Sequence, residues 1–159
     1  MHKVDELGVI LANNYVHIAC VTESWLNDRI PSDNVDIPGY VCYRHDRGDG
    51  RRDGGVVCYV REDVPCHRLT EFECSDVESL WLLCRNKRMP RTISHVLIGV
   101  IYYPPNGDSW RTLSHITDVL DIITVRHPHL GIVLCGDFNQ LNDRSIVNYP
   151  LRQIVCVAT

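Results

Sequence analysis

The chain has 159 residues, a formal net charge of −4 and 45% apolar residues. This length fits one domain with a substantial core, and the composition is that of a globular protein. The negative balance excludes a global positive field that would attract nucleic acid, although a bound metal ion can supply positive charge locally.

The first half of the chain predicts one helix followed by three strands. Residues 3–15 place apolar side chains at spacings of three and four, which is typical of an amphipathic helix. The run "VHIACVT" (16–22) is apolar and rich in β-branched residues, which predicts a strand buried on both faces. Strands are also predicted at "GYVCYR" (39–44) and "GVVCYVRE" (55–62), separated by a loop, "RHDRGDGRRDGG".

The second half predicts strands on either side of one long helix. "VESLWLLCR" (77–85) and "SHVLIGVIYYPP" (94–105) indicate strands, and the proline pair should end the second near Tyr103. Residues 109–126 form an amphipathic pattern with Asp108 or Ser109 as the N-cap. "HLGIVLCGD" predicts a strand, "NDRSIVNY" a short helix and "RQIVCVAT" the beginning of a last strand. Mostly antiparallel strands with intervening helices favour an α+β or layered α/β domain.

The eight cysteines contain no C-x-x-C pair, which argues against a zinc ribbon or a thioredoxin-like motif. Several lie in apolar runs such as "VVCYV", where a free thiol behaves as a small hydrophobe. "MHKVDELGVI" lacks the apolar centre of a secretory signal, and no run approaches the ~18 residues of a membrane-spanning helix. We therefore expect a reduced intracellular protein with free thiols and no membrane segment.

Polar side chains follow three of the predicted strands at their carboxyl ends. Glu23 follows residues 16–22, Tyr102 lies at the end of the strand before the proline pair, and Asp137 and Asn139 follow "HLGIVLCG". Ligand sites collect at such edges because a rigid sheet holds the loops there. If these ends lie side by side, the site contains two carboxylates, an amide and a phenol.

This set of side chains suits metal-assisted phosphodiester hydrolysis. Glu23 is a hard oxygen ligand of the kind that Mg²⁺ binds, and Asp137 could orient or deprotonate the attacking water. Asn139 and Tyr102 could donate hydrogen bonds to phosphate oxygens. Each residue also has a plain structural interpretation: Glu23 at a helix start, "GDFN" as an Asx turn and "YYPP" as a strand terminus.

Several segments together resemble a known family. "ACVTESWLNDRIPSDNVDIPGYVCYRHDR", "GGVVCYVRED", "GVIYYPPN" and "CGDFNQLND" are similar, in this order, to the endonuclease domain of non-LTR retrotransposons. That domain belongs to the endonuclease/exonuclease/phosphatase superfamily. The resemblance implies a four-layered α/β (α+β) sandwich of two mainly antiparallel sheets flanked by helices. It also implies Mg²⁺-dependent nicking of DNA in the nucleus, with Mn²⁺ as an alternative ion, and a reverse transcriptase in the full-length parent.

By the same resemblance, Glu23 is the metal-binding glutamate and Tyr102 the tyrosine near the phosphate. Asp137 activates the nucleophile or protonates the leaving group, and Asn139 positions the phosphate. The family pattern also has an earlier strand with an active-site asparagine and a later Ser-Asp-His motif, neither of which matches these 159 residues. Residues 1–159 are therefore expected to be a partial domain, lacking the first strand and the C-terminal third, with weak or no activity alone.

Two other interpretations stay open at this point. The chain could be a non-catalytic remnant or a binding-only domain, or a lipid or inositol-phosphate phosphoesterase of the same superfamily. The contexts "TESWL" and "YYPPN" favour the retrotransposon branch over the phosphoesterases. The basic stretch at 44–52 could contact DNA phosphates or face solvent, and the sequence leaves both roles open.

Overall fold

The computed structural model describes residues 3–47, 54–85, 89–141 and 154–158. The described helices are α1 (Lys3–Asn13) and α2 (Ser109–Arg126), with short 3-10 turns at Ser32–Asn34 and Thr70–Phe72. The described strands, in chain order, are β1 (Ile18–Thr22), β2 (Tyr40–His45), β3 (Val56–Arg61), β4 (Cys66–Arg68), β5 (Glu78–Cys84), β6 (His95–Tyr102), β7 (Leu130–Asp137) and β8 (Ile154–Ala158).

The strands form two sheets. The first has the order β1-β3-β2 and is antiparallel throughout. The second has the order β4-β5-β6-β7-β8, with antiparallel pairs from β4 to β6 and parallel pairs from β6 to β8. The parallel pair β6–β7 requires a crossover, which α2 supplies. The predicted sandwich of two mainly antiparallel sheets flanked by helices is confirmed.

Three apolar clusters separate four layers. In β3, Val56 and Cys58 pack between the two sheets, whereas Val57 and Tyr59 pack on the opposite side against α1. The buried face of α2 packs on the outer side of the second sheet, around Trp81. The alternation of side chains along each strand therefore supplies two cores from a single run of apolar residues.

The prediction that residues 16–22 form a strand buried on both faces is wrong. The strand begins at Ile18, and its residues are all partly exposed. Both of its faces do contact apolar clusters, which explains its continuous apolar character. However, β1 pairs only with β3 among the described strands, so its other edge leaves it partly accessible.

The remaining predictions of local structure differ from the structure mainly at the ends of elements. The first helix ends at Asn13 rather than residue 15, since Tyr15 has a φ of 52° and cannot continue a right-handed helix. The short strand β4 was not predicted. The helix at 109–126 and its N-cap are confirmed, because the Asp108 carboxylate accepts the backbone N–H of Arg111.

Some of the segments predicted from the sequence are not among the described residues. The short helix at "NDRSIVNY" and residues 48–53 of the loop "RHDRGDGRRDGG" lie outside the described residues. The cysteines whose side chains are described carry free thiols, as predicted. Neither described helix is long and apolar enough to cross a membrane.

Candidate active site

The second sheet presents a row of three polar side chains at one end. In the strand register, Glu78 of β5 lies opposite Tyr102 of β6, and Tyr102 lies opposite Asp137 of β7. Tyr102 belongs to the apolar cluster between the sheets, as does Leu80, which shares the orientation of Glu78 along β5. The row therefore faces the first sheet rather than α2.

Glu23 reaches this row from the first sheet. It follows β1 directly and has a φ of 54°, in the left-handed region that non-glycine residues rarely adopt. Its Oε2 accepts hydrogen bonds from the indole Nε1 of Trp25 at 2.8 Å and from the backbone N–H of Gly54 at 3.0 Å. The Tyr102 hydroxyl also donates to this carboxylate, so the two sheets are joined at the site.

The surroundings of Glu23 favour its ionised form. Burial acts to raise the pKa of this carboxyl, but the effect is outweighed. Hydrogen bonds from Tyr102, Trp25 and Gly54, together with the positive charge of Arg47, lower the pKa of Glu23 below its ordinary value. The side chain is exposed, so an ionised carboxylate is available to a ligand from solvent.

Tyr102 is held in its protonated form. Burial raises the pKa of this phenol, and so do its hydrogen bond to Glu23 and the negative charges of Glu23, Glu78 and Asp137. A neutral phenol at the centre of three carboxylates can act only as a hydrogen-bond donor toward them. The strand register places Glu78 and Asp137 directly beside Tyr102, one on each neighbouring strand.

"GDFN" forms a tight corner at the end of β7. Gly136 has a φ of 134°, and a Cβ there would lie 1.9 Å from the carbonyl oxygen of Ile101, so only glycine fits. Asn139 has a φ of 43°, and its backbone N–H donates to Oδ1 of Asp137 at 2.9 Å. The Asx turn considered from the sequence is therefore present.

This turn leaves Asn139 able to act on a ligand. Its Nδ2 donates to the carbonyl of Tyr103 at 2.8 Å, which ties the ends of β6 and β7 together. An amide nitrogen has two N–H groups, so a second donor remains for another acceptor. Asn139 is also exposed to solvent, whereas the exposed fraction of Tyr102 is only 5%.

Sequence analysis missed a support for Glu23 that lies beside it. The adjacent residues Gly54 and Gly55, here called the glycine corner, hold two carboxylates on neighbouring N–H groups. Gly54 donates to Glu23, and Gly55 donates to Oε2 of Glu78 at 2.6 Å. Arg47 pairs with Glu78, with Nε 3.2 Å from Oε1. The sequence signal that could have identified Glu78 is its position as a charged residue immediately before the apolar run "SLWLLC".

The glycine corner has little room for larger residues. A Cβ on Gly54 would lie 2.5 Å from Oε2 of Glu78. The corner is also bonded to the segment that follows Glu23, because the carbonyls of Gly54 and Gly55 accept the backbone N–H groups of Trp25 and Ser24. Glu23 is therefore fixed by main-chain contacts on both sides.

A cavity of about 280 Å³ opens beside Tyr102 and Glu78. Its lining is mixed in charge and includes acidic and basic side chains: Asp46, Asp76, Asp108, His45 and Arg47. Arg44, by contrast, has a structural role, since it pairs with Asp46 and donates to the carbonyls of Asn27 and Ile30. Residues 48–52 of the basic stretch lie outside the described residues.

The side chains at this site could bind a metal ion that needs few protein ligands. Within the described part of the chain, no group of three or more histidine, cysteine or acidic side chains is arranged to hold a metal. Mg²⁺ keeps several waters and commonly binds one or two carboxylates together with substrate phosphates. The exposed, ionised Glu23 fits that mode of binding, and a closed zinc-type site does not fit these residues.

Three solved structures share this fold. The endonuclease domain of TRAS1, a telomere-specific non-LTR retrotransposon, superposes with a TM-score of 0.60 and 14% identity, over 86% of this chain and 52% of that one. The human Nocturnin catalytic domain superposes with a TM-score of 0.54 and 12% identity, over 84% of this chain and 56% of that one. ANGEL2, a 2′,3′-cyclic phosphatase, superposes with a TM-score of 0.56 and 18% identity, over 85% of this chain and 43% of that one.

The chain spans about half the length of these structures. At these identities the likeness shows the fold alone. No curated protein sequence matches the chain significantly. The sequence pattern of the Endonuclease/Exonuclease/phosphatase family matches residues 1–152. The chain, with two packed sheets whose ends bring Glu23 to Tyr102, therefore belongs to the Endonuclease/Exonuclease/phosphatase family.

Proposed function

We propose that this chain is a Mg²⁺-dependent DNA endonuclease domain of the non-LTR retrotransposon type, which hydrolyses one phosphodiester bond to leave a nick. The observation that carries the proposal is the meeting of Glu23, from one sheet, with Tyr102 and Asp137 from the other. In the full-length parent such a domain accompanies a reverse transcriptase, which extends the 3′-hydroxyl at the nick.

The comparisons support a phosphate-containing substrate. The TRAS1 domain is an endonuclease, and the Nocturnin structure carries a bound sulfate anion. The ANGEL2 structure holds adenosine-2′,3′-vanadate, whose metal oxyanion resembles a phosphate group. Among these, the segments "TESWL" and "YYPPN" favour the retrotransposon endonuclease.

Glu23 would hold the cation, which when bound polarises a phosphoryl oxygen and stabilises the leaving alkoxide. Three other residues of the chain have roles in the proposed reaction. Asp137 accepts a proton from the attacking water, and its Oδ1 is already oriented by the Asn139 backbone N–H. The second amide N–H of Asn139 donates to a phosphate oxygen, while the protonated Tyr102 orients Glu23.

A supercoiled-plasmid nicking assay with Mg²⁺ tests the proposal. Relaxation of the plasmid records a single cut, so slow turnover is sufficient for detection. We expect the chain to nick the plasmid slowly, as a partial domain of weak activity should, and Glu23→Ala to slow nicking further by about 10²-fold, as for loss of a group that stabilises transition-state charge. EDTA should abolish the reaction.

Glu62→Ala is the matched control, because Glu62 is an exposed glutamate in the turn after β3. It should nick at the wild-type rate. Nicking that persists in EDTA, or that Glu23→Ala leaves unchanged, would contradict the proposal. A folded chain that binds DNA without cutting it would instead support a binding-only domain.

A further inference from the structure

The indole of Trp25 occupies an unusual position beside the proposed metal ligand. Its side chain is 62% exposed, so burial of the ring contributes little to holding it there. Its backbone has a φ of 56°, two residues after the φ of 54° at Glu23. Left-handed conformations at non-glycine residues cost about 1 kcal/mol or more and concentrate at functional sites.

The specific contact that Trp25 makes is with the carboxylate itself. Its Nε1 donates to Oε2 of Glu23 at 2.8 Å, a charge-assisted hydrogen bond in an exposed setting. Gly54 donates to the same oxygen at 3.0 Å. Because the indole and the Gly54 N–H both use Oε2, neither occupies Oε1, which can accept from a further partner or bind a cation.

We propose that Trp25 is a positioning residue that holds the Glu23 carboxylate in the orientation that receives the divalent cation. This inference rests on the proposed function. The alternative is that the indole competes with the cation for the carboxylate. The two roles predict opposite changes in cation affinity. Loss of the indole N–H weakens cation binding if Trp25 positions Glu23, and strengthens it if the indole competes with the cation.

The main-chain contacts around Trp25 agree with a positioning role. The backbone N–H of Trp25 donates to the Gly54 carbonyl at 3.0 Å, and that of Ser24 donates to the Gly55 carbonyl at 3.2 Å. The segment from Glu23 to Trp25 is thus clamped to the glycine corner before any ligand arrives. Groups that orient a metal ligand in this way typically change metal affinity 10- to 100-fold when removed.

The test measures binding of Mn²⁺ to the 159-residue chain by the loss of the free-ion electron paramagnetic resonance signal. Trp25→Phe keeps an aromatic ring and removes the N–H. We expect it to raise the Mn²⁺ dissociation constant about 10-fold. Trp110→Phe is the matched control, because Trp110 is another exposed tryptophan, 77% accessible on α2, and it should change the constant less than twofold.

Tryptophan emission supplies a second readout. Bound Mn²⁺ is paramagnetic and should quench the indole that contacts its ligand. Wild-type and Trp110→Phe proteins should therefore show Mn²⁺-dependent quenching that excess Mg²⁺ reverses, and Trp25→Phe should lose it. Urea unfolding should be nearly unchanged in Trp25→Phe, which separates positioning from a merely structural role.

Glu23→Gln separates this inference from the proposed function. If Glu23→Gln abolishes Mn²⁺ binding and Trp25→Phe leaves the dissociation constant unchanged or lower, the positioning role of Trp25 is overturned while the metal site stands. If Glu23→Gln binds Mn²⁺ as the wild type does, the metal ligand itself is wrongly assigned, and both proposals are overturned.

Discussion

At the scale of single residues, Tyr102 connects the two sheets of the site. Its hydroxyl donates to Glu23, and the negative charges of Glu23, Glu78 and Asp137 surround it. The phenol therefore remains protonated throughout the physiological pH range. Its position as the last residue of β6 places the oxygen where both sheets end.

Tyr102→Phe should slow Mg²⁺-dependent plasmid nicking about 10-fold. The substitution removes one charge-assisted hydrogen bond to Glu23, worth about 1.5 kcal/mol, while the ring stays packed between the sheets. Initial nicking rates under excess Mg²⁺ provide the measurement. Tyr15→Phe is a control, since Tyr15 is 79% exposed, and an equal loss in both variants would refute the role of Tyr102.

Gly136 shows how one backbone position creates the corner at the end of β7. Gly136→Ala should lower the free energy of unfolding by about 3 kcal/mol, because the new Cβ would lie 1.9 Å from the Ile101 carbonyl oxygen. Gly39→Ala is the comparison. It shares a positive φ of 84° but meets no atom within 4 Å, and it should cost only about 1 kcal/mol. Equal losses in urea unfolding would show that the close approach to β6 is not the cause.

At the scale of elements, a partly buried ion cluster joins the two sheets, and its His45 also lines the cavity beside Tyr102. Glu73, which follows the 3-10 turn Thr70–Phe72, pairs with Arg68 of β4 at 2.7 Å and with His45 of β2 at 3.1 Å. Burial acts against its ionised form, but the hydrogen bonds and charges of Arg68 and His45 lower the pKa of Glu73 to about 2. A depressed pKa in the folded state means that this carboxylate stabilises the fold above its unfolded pKa.

Glu73→Gln should therefore lower the free energy of unfolding at pH 7 by about 2 kcal/mol. The difference from wild type should shrink as the pH falls from about 4.5 toward 2, where protonation removes the same charge. Urea unfolding at a series of pH values measures it. The control is Glu71→Gln, an exposed partner of Arg126 at 3.4 Å, which should cost less than 1 kcal/mol. A pH-independent difference for Glu73→Gln would contradict the pKa assignment.

At the scale of the whole molecule, the candidate site residues that the sequence indicated are those that lie where strands end. Glu23, Tyr102 and Asp137 each follow an apolar run, and that change from apolar to polar is local information. The run "VHIACVT" was interpreted as a buried strand because an edge strand that contacts cores on both faces has the same composition as a central one. A short stretch of sequence does not reveal which strands will pair with it, and therefore does not distinguish an edge strand from a central one.

Glu78 and Trp25 could not be found in this way. Glu78 begins a strand rather than ending one, and it reaches the site only because β5 runs antiparallel to β6. Trp25 acts through a left-handed turn and a contact with a residue two positions earlier, which no periodicity reveals. Both depend on the glycine corner, whose N–H groups meet two carboxylates brought together by separate sheets.

The central claim is that the ends of the two sheets form one catalytic site. A double-mutant cycle on plasmid nicking tests it most directly, using Glu23→Gln from the first sheet and Asp137→Asn from the second. Each single variant should lose about 10²-fold in initial rate, and the double variant should be no more than about threefold slower than the slower single, because groups that act as a unit are not additive. Losses that multiply to about 10⁴-fold would show that the two carboxylates act independently and would contradict the account.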